Sequence, residues 1–161
     1  APPPPPHPPH KPDLSPLLSD LHNHHTLNDH YRHTNSDDAP QPYTRVISEN
    51  IRKTDVIARW GGEEFALLLP QTSIMVAVRT AEKLRREIEQ FEFLHVGHIT
   101  ASFGVTRYIE GDTEASLINR ADDALYKAKK NGRNRVEMLS PVSTINIDRS
   151  EKHKEPEQNL I

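Results

Sequence analysis

The stretch from Asp55 to Pro70, DVIARWGGEEFALLLP, sets two short apolar runs on either side of a Gly61-Gly62 pair. Apolar runs of this length joined by two glycines predict an antiparallel hairpin. Glu63 and Glu64 follow the glycines directly, where a plain hairpin gains little from adjacent negative charges. The glycines also let a ligand come close to the backbone. The hairpin therefore fixes two strands and puts a pair of carboxylates at their turn.

Working outward, Ser73 is placed to cap a helix whose apolar stripe is Ile74, Ala77, Ala81, Leu84 and Ile88. ITASFGVT (99–106) reads as a strand from its β-branched content and alternation. Asp112 or Thr113 then caps a helix with Leu117, Ile118, Ala121, Ala124, Leu125 and Ala128 on one face. Gly132 lies where a left-handed C-terminal cap belongs, and NRVEML (134–139) closes as a strand. Before the hairpin, Tyr43, Val46, Ile47 and Ile51 follow helical spacing. Pro40 and Pro42 hold that helix to a start near residue 41 or distort its first turn. LSPLLSDL (14–21) reads as a strand that Pro16 confines to an edge or a bulge. The order predicts an α/β fold of the split-βαβ, palm-like kind, a mixed sheet with helices packed on it.

The 161 residues suffice for one domain with a real core. Nine of the fourteen prolines fall in residues 1–16, so residues 1–13 read as an extended Pro/His-rich segment outside the core. Residues 14–140 form the domain, and the charged, aperiodic residues 141–161 read as a mobile tail. A net charge of −3 gives no reason to expect a nucleic-acid partner. No apolar run of about 18 residues exists to span a membrane, and no secretory signal pattern is visible. The absence of cysteine excludes disulfides and thiol chemistry and fits a cytoplasmic location.

Three features set the turn carboxylates apart from a solvated turn. Asp20 ends the first strand, which in this topology lies beside the hairpin, so two carboxylates can converge on a hard cation such as Mg²⁺. Lys129 and Arg133 flank the last turn of the final helix, four residues apart, where cations grip phosphate oxygens. Alone, that pair would only complement the helix dipole. Acid for metal, base for phosphate and bare backbone together suggest a nucleoside triphosphate.

RWGGEEF (59–65) resembles the signature of the GGDEF-domain family, the diguanylate cyclases. NDHYRH (28–33), with Asp37 nine residues after Asn28, is similar to a second family element, and RKTD (52–55) resembles the family's RxxD. ITASFGVT and RADDALYKAKKNGRN (120–134) are also close to family sequence. The resemblance is dense over residues 37–139 and sparse over 14–36. It implies condensation of two GTP to cyclic di-GMP, with Mg²⁺ or Mn²⁺ and a facing homodimer. It also implies that Asp20, Glu63 and the carbonyl of Leu21 hold the metal, and that Glu63 is the base for the ribose 3′-hydroxyl. Asn28 and Asp37 would then read guanine, with Gly61, Gly62, Lys129 and Arg133 against the nucleotide and its phosphates. Arg52 and Asp55 would form an inhibitory site for the product. Glu64 is either a supporting metal ligand or a solvated neighbour.

The first third departs from the family pattern. Where the family carries DxDxFKxxND, this chain has DLHNHHTLND, with His22, His24 and His25 replacing Asp, Phe and Lys. His25 thus stands where a lysine would stabilise the transition state, and Arg32 and Ser36 replace glycines. These changes predict a weak cyclase, or alternatively a degenerate nucleotide-binding module that signals without turnover. The histidine cluster also invites a reading as a transition-metal site, against which stands an exposed His-rich segment with no matching partner set.

Overall fold

The structure is a computed structural model that describes residues 13–22, 42–59, 64–94 and 97–140. Among the described residues, five strands and three helices follow in chain order as β1 (Leu14–His22), α1 (Pro42–Ser48), β2 (Val56–Arg59), β3 (Glu64–Pro70), α2 (Ile74–Gln90), β4 (Thr100–Val105), α3 (Glu114–Lys130) and β5 (Val136–Met138). The described strands form one mixed sheet in the order β2-β3-β1-β4-β5, with β4–β5 parallel and the other three pairs antiparallel. This is the α/β architecture that the alternation of patterns predicts. The Pro/His-rich segment before Asp13 and the tail after Ser140 lie outside the described residues.

Each helix end follows from its sequence. Pro42 opens α1 at the first helical position, where its missing N–H costs nothing. Ser73 caps α2 by accepting from Val76 N. Thr113, not Asp112, caps α3, in a reciprocal box with Ser116. The apolar stripes of α1 and α2 bury against Leu17, Leu21, Phe65, Leu67, Leu69, Ala101, Phe103 and Val105. The opposite sheet face receives α3, through Leu18, Ala121 and Leu125.

Pro16 does not hold its strand to the edge. β1 is the central strand, between β3 and β4. The reason lies in the ladder. Leu14 and Pro16 turn their carbonyls toward β4, accepting from Tyr108 N and Thr106 N. A residue's N and O face the same neighbour in an antiparallel strand, so the N–H that proline lacks would also point toward β4. The β1–β4 register begins only at Leu17↔Val105, one residue past the proline. Coverage on both faces also explains the weak alternation of LSPLLSDL. Its buried hydroxyls are satisfied, Ser15 donating to Thr72 O and Ser19 to Ser102 O, both at 2.8 Å.

Candidate functional site

The antiparallel β2–β3 ladder ends at Arg59↔Phe65, which bears out the hairpin; its connection, residues 60–63, lies outside the described residues. Glu64 is the first described residue beyond it and stands opposite Asp20 on β1. On its other side Asp20 pairs with Ser102 of β4. Asp20, Ser102 and Gly104 share the face that α3 covers. A Cβ at Gly104 would lie 2.2 Å from Leu125 N and 2.3 Å from Ala121 O, so only glycine admits the helix at this depth. One turn beyond Leu125, Lys129 reaches the sheet, and its Nζ lies 2.6 Å from Asp20 Oδ2. Both side chains are nearly buried, at 17% and 11% exposure. The two residues read from the sequence as metal acid and phosphate base are thus partners of each other. Their spacing in sequence carries no signal of that contact, which follows from the helix lying on Gly104.

The backbone of Leu21 takes its direction from the same ladder. Even-numbered β1 carbonyls face β4, whereas Asp13 O, on the odd set, accepts from Thr72 N at the β3 side. Leu21 is odd and one position past the last β1–β3 pair, Asp20↔Glu64, so its carbonyl faces the side where the hairpin connection joins β3. A cavity of about 190 Å³ opens next to this corner, lined by Leu18, Ser19, Glu64, Ile118, Asn119, Asp122 and Leu125.

Beyond Lys129 the helix stops in a Schellman turn, with Gly132 N donating to Lys129 O and Arg133 N to Ala128 O. Gly132 has φ +123°, as its place past the helix end demands. Arg133 and Asn134 follow with φ of 63° and 47°, a region L side chains rarely occupy. The turn is pinned by Asn134 N donating to Ser102 Oγ, and by the Asn134 side chain, which bonds Glu89 and Arg85. His22 Nε2 lies 2.7 Å from the same Ser102 hydroxyl. Ser102, unmarked by sequence reading, therefore ties the Asp20 strand to the Arg133 turn. Among the described residues no three His, Asp or Glu side chains gather in a group that could hold a metal, and His24 and His25 fall outside them.

Arg52 and Asp55 form a separate group. Asp55 accepts Arg52 N at 2.8 Å and its guanidinium at 3.1 Å. The same guanidinium donates to Pro70 O and to Thr72 Oγ1. Since Pro70 and Glu64 are opposite ends of β3, this group lies about 20 Å from the Asp20 corner at a strand's rise per residue. Asn28, Asp37, His25, Gly61, Gly62 and Glu63 lie outside the described residues.

In the second turn of α3, Arg120 bonds both oxygens of Asp112, Thr106 Oγ1 and Arg107 O. The guanidinium holds the Asp112 carboxyl down at about 2. This clamp fixes the helix that carries Lys129.

The family description "Diguanylate cyclase, GGDEF domain" matches residues 8–135. The chain belongs to the GGDEF family. It is 42% identical over 129 residues to the diguanylate cyclase VdcA of Vibrio cholerae, covering 76% of this chain and 38% of VdcA. It covers 30% of DgcM of Escherichia coli, at 39% identity, so the chain spans about a third of these relatives. Among solved structures, the GGDEF domain of DgcB from Caulobacter crescentus, in complex with c-di-GMP, superposes with a TM-score of 0.69 at 30% identity. That match covers 79% of this chain and 78% of the DgcB domain. No described helix of this GGDEF protein is long and apolar enough to cross a membrane.

Proposed function

We propose that this GGDEF domain is a diguanylate cyclase that condenses two GTP to cyclic di-GMP and two pyrophosphates, using Mg²⁺ or Mn²⁺. The observation that carries the reading is the buried Asp20 carboxylate at the sheet end, opposite Glu64 and against Lys129. The donor set fits a hard cation. Asp20 supplies a carboxylate at the sheet end, the next residue's carbonyl, that of Leu21, faces the β3 side of the strand, and Glu63 adjoins Glu64 in the chain. Asp20, the Leu21 carbonyl and Glu63 would hold the metal, with Glu64 its neighbour. When bound, the metal offsets phosphate charge and so stabilises the transition state of phosphoryl transfer.

The chain's own residues do the rest. Asn28 and Asp37 bind the guanine edge with an amide and a carboxylate. Gly61 and Gly62 let the nucleotide lie on the backbone, and Lys129 and Arg133 hold phosphate oxygens. Glu63 takes the proton of the ribose 3′-hydroxyl. That oxygen bonds to the α-phosphorus of the GTP in the facing domain, the bond to the bridging oxygen breaks, and pyrophosphate leaves. A second transfer closes the ring. His25, when protonated, supplies the positive charge that cyclases of this family draw from lysine.

Cyclic di-GMP also binds at Arg52 and Asp55 as an inhibitor, where a half-exposed guanidinium is steered by a buried carboxylate. That group, distant from Asp20, supports a second reading: a module that binds nucleotide and signals without turnover. Incubation with GTP and Mg²⁺ separates the two. The cyclase yields cyclic di-GMP and two pyrophosphates per product, whereas intact GTP beside bound cyclic di-GMP selects the module.

A further inference from the structure

Lys129 and Asp20 cannot both serve a nucleotide while they serve each other. The ammonium lies 2.6 Å from the carboxylate, with both groups largely withdrawn from solvent. A contact that short between opposite charges is strong, and it occupies an oxygen that a metal ion would need. The backbone around it offers little slack. Gly104 lets α3 press on β4, the Schellman turn fixes the end of the helix, and Ser102 holds the following turn to the sheet. A divalent ion at Asp20 would be repelled by the ammonium unless the flexible lysine stem swings away.

We infer that Lys129 is a resident counter-cation that closes the Asp20 site in the absence of substrate, and that metal entry displaces it toward the incoming phosphates. The inference rests on the metal site of the proposed function. Lys129 then has two partners in turn, Asp20 without nucleotide and phosphate oxygens with it. Metal and triphosphate binding become coupled, because each favours the state in which the lysine has left Asp20. The metal alone binds weakly, since it must first break the ion pair.

The test is Mg²⁺ titration of the full chain without nucleotide, by calorimetry and by NMR of the lysine side chains. Lys129→Gln keeps a donor for the carboxylate and removes the charge. Its Mg²⁺ dissociation constant should fall at least about tenfold, the scale of losing one charge-assisted contact. Lys129→Arg, which keeps the charge, should return to the unmutated value. Exposed Lys130→Gln, with the same change in net charge, should stay within about twofold, because a solvated charge is screened. In the unmutated chain, Mg²⁺ should shift the Lys129 side-chain resonance and leave that of Lys130, a readout that needs no variant to fold. Equal affinities for the two glutamine variants, an unmoved Lys129 resonance at saturating Mg²⁺, or no Mg²⁺ uptake by any protein would each overturn the inference. A chain that behaves as expected here yet makes no cyclic di-GMP keeps the latch and loses the cyclase reading.

Discussion

Arg52 keeps 53% of its side chain in solvent, while Asp55, which accepts from it, keeps 2%. A carboxylate that buried serves to orient the guanidinium. The arginine carries the exposed donors a nucleotide would meet. Arg52→Ala should therefore weaken cyclic di-GMP binding by about 1–3 kcal/mol, the range for a lost charged donor. It should also lower fold stability by about 1–3 kcal/mol, because it strips the buried Asp55 carboxylate of its guanidinium partner. Calorimetry and urea unfolding of the same variant read both numbers, and equal affinity would remove Arg52 from the binding site. Asp112 presents the opposite balance. Its carboxyl is lowered from 3.8 to about 2, first by the Arg120 hydrogen bond, then by the bonds from Ile109 N and Ser116, against the opposing effect of burial. A carboxyl depressed by folding contributes stability that is fully present above about pH 4 and lost as pH falls toward 2. The loss should be on the order of 2 kcal/mol. Asp112→Asn should be less stable at pH 6 and should lose less between pH 4 and 2. Urea midpoints across that range check it.

At the scale of elements, α3 decides where the site forms, and Gly104 decides where α3 lies. A methyl there meets three backbone atoms of the helix, none of which can rotate away. Gly104→Ala should cost more than about 2 kcal/mol and draw Lys129 from Asp20, so thermal unfolding and Mg²⁺ affinity should change together. Lost stability with unchanged metal affinity would show that the helix pivots elsewhere. Sequence patterns fare well at this scale wherever one face of an element is buried. The stripe of α2 (Ala77, Ala81, Leu84, Ile88) is buried as its spacing predicts. They fare less well for β1, which is covered on both faces, so that its alternation fades and its proline points to an edge. The central position follows from ladder geometry, in which the missing donor falls just past the end of β4. The Asp20–Lys129 contact was hidden for a related reason. Residues more than a hundred positions apart meet only because a glycine lets a helix sit low on the sheet.

For the molecule as a whole, one end of the sheet gathers Asp20, Glu64, Lys129 and the Arg133 turn, and the far end of β3 holds Arg52 and Asp55. With that separation, the proposed product site would not overlap the proposed place of product formation. The proposed cyclisation belongs to the first of these ends, and the chain's departures from its family pattern set how fast it should run. Where the family pattern has a lysine this chain has His25, and in the proposed reaction a missing fixed charge at developing phosphate charge would lower the rate by about 10²–10³. The most direct measurement is cyclic di-GMP formation from GTP and Mg²⁺ by the unmutated chain, Glu63→Gln and His25→Lys side by side. Slow product formation is expected from the unmutated chain, none from Glu63→Gln, and faster turnover from His25→Lys. Product formation that persists in Glu63→Gln, or no product even from His25→Lys, would contradict it.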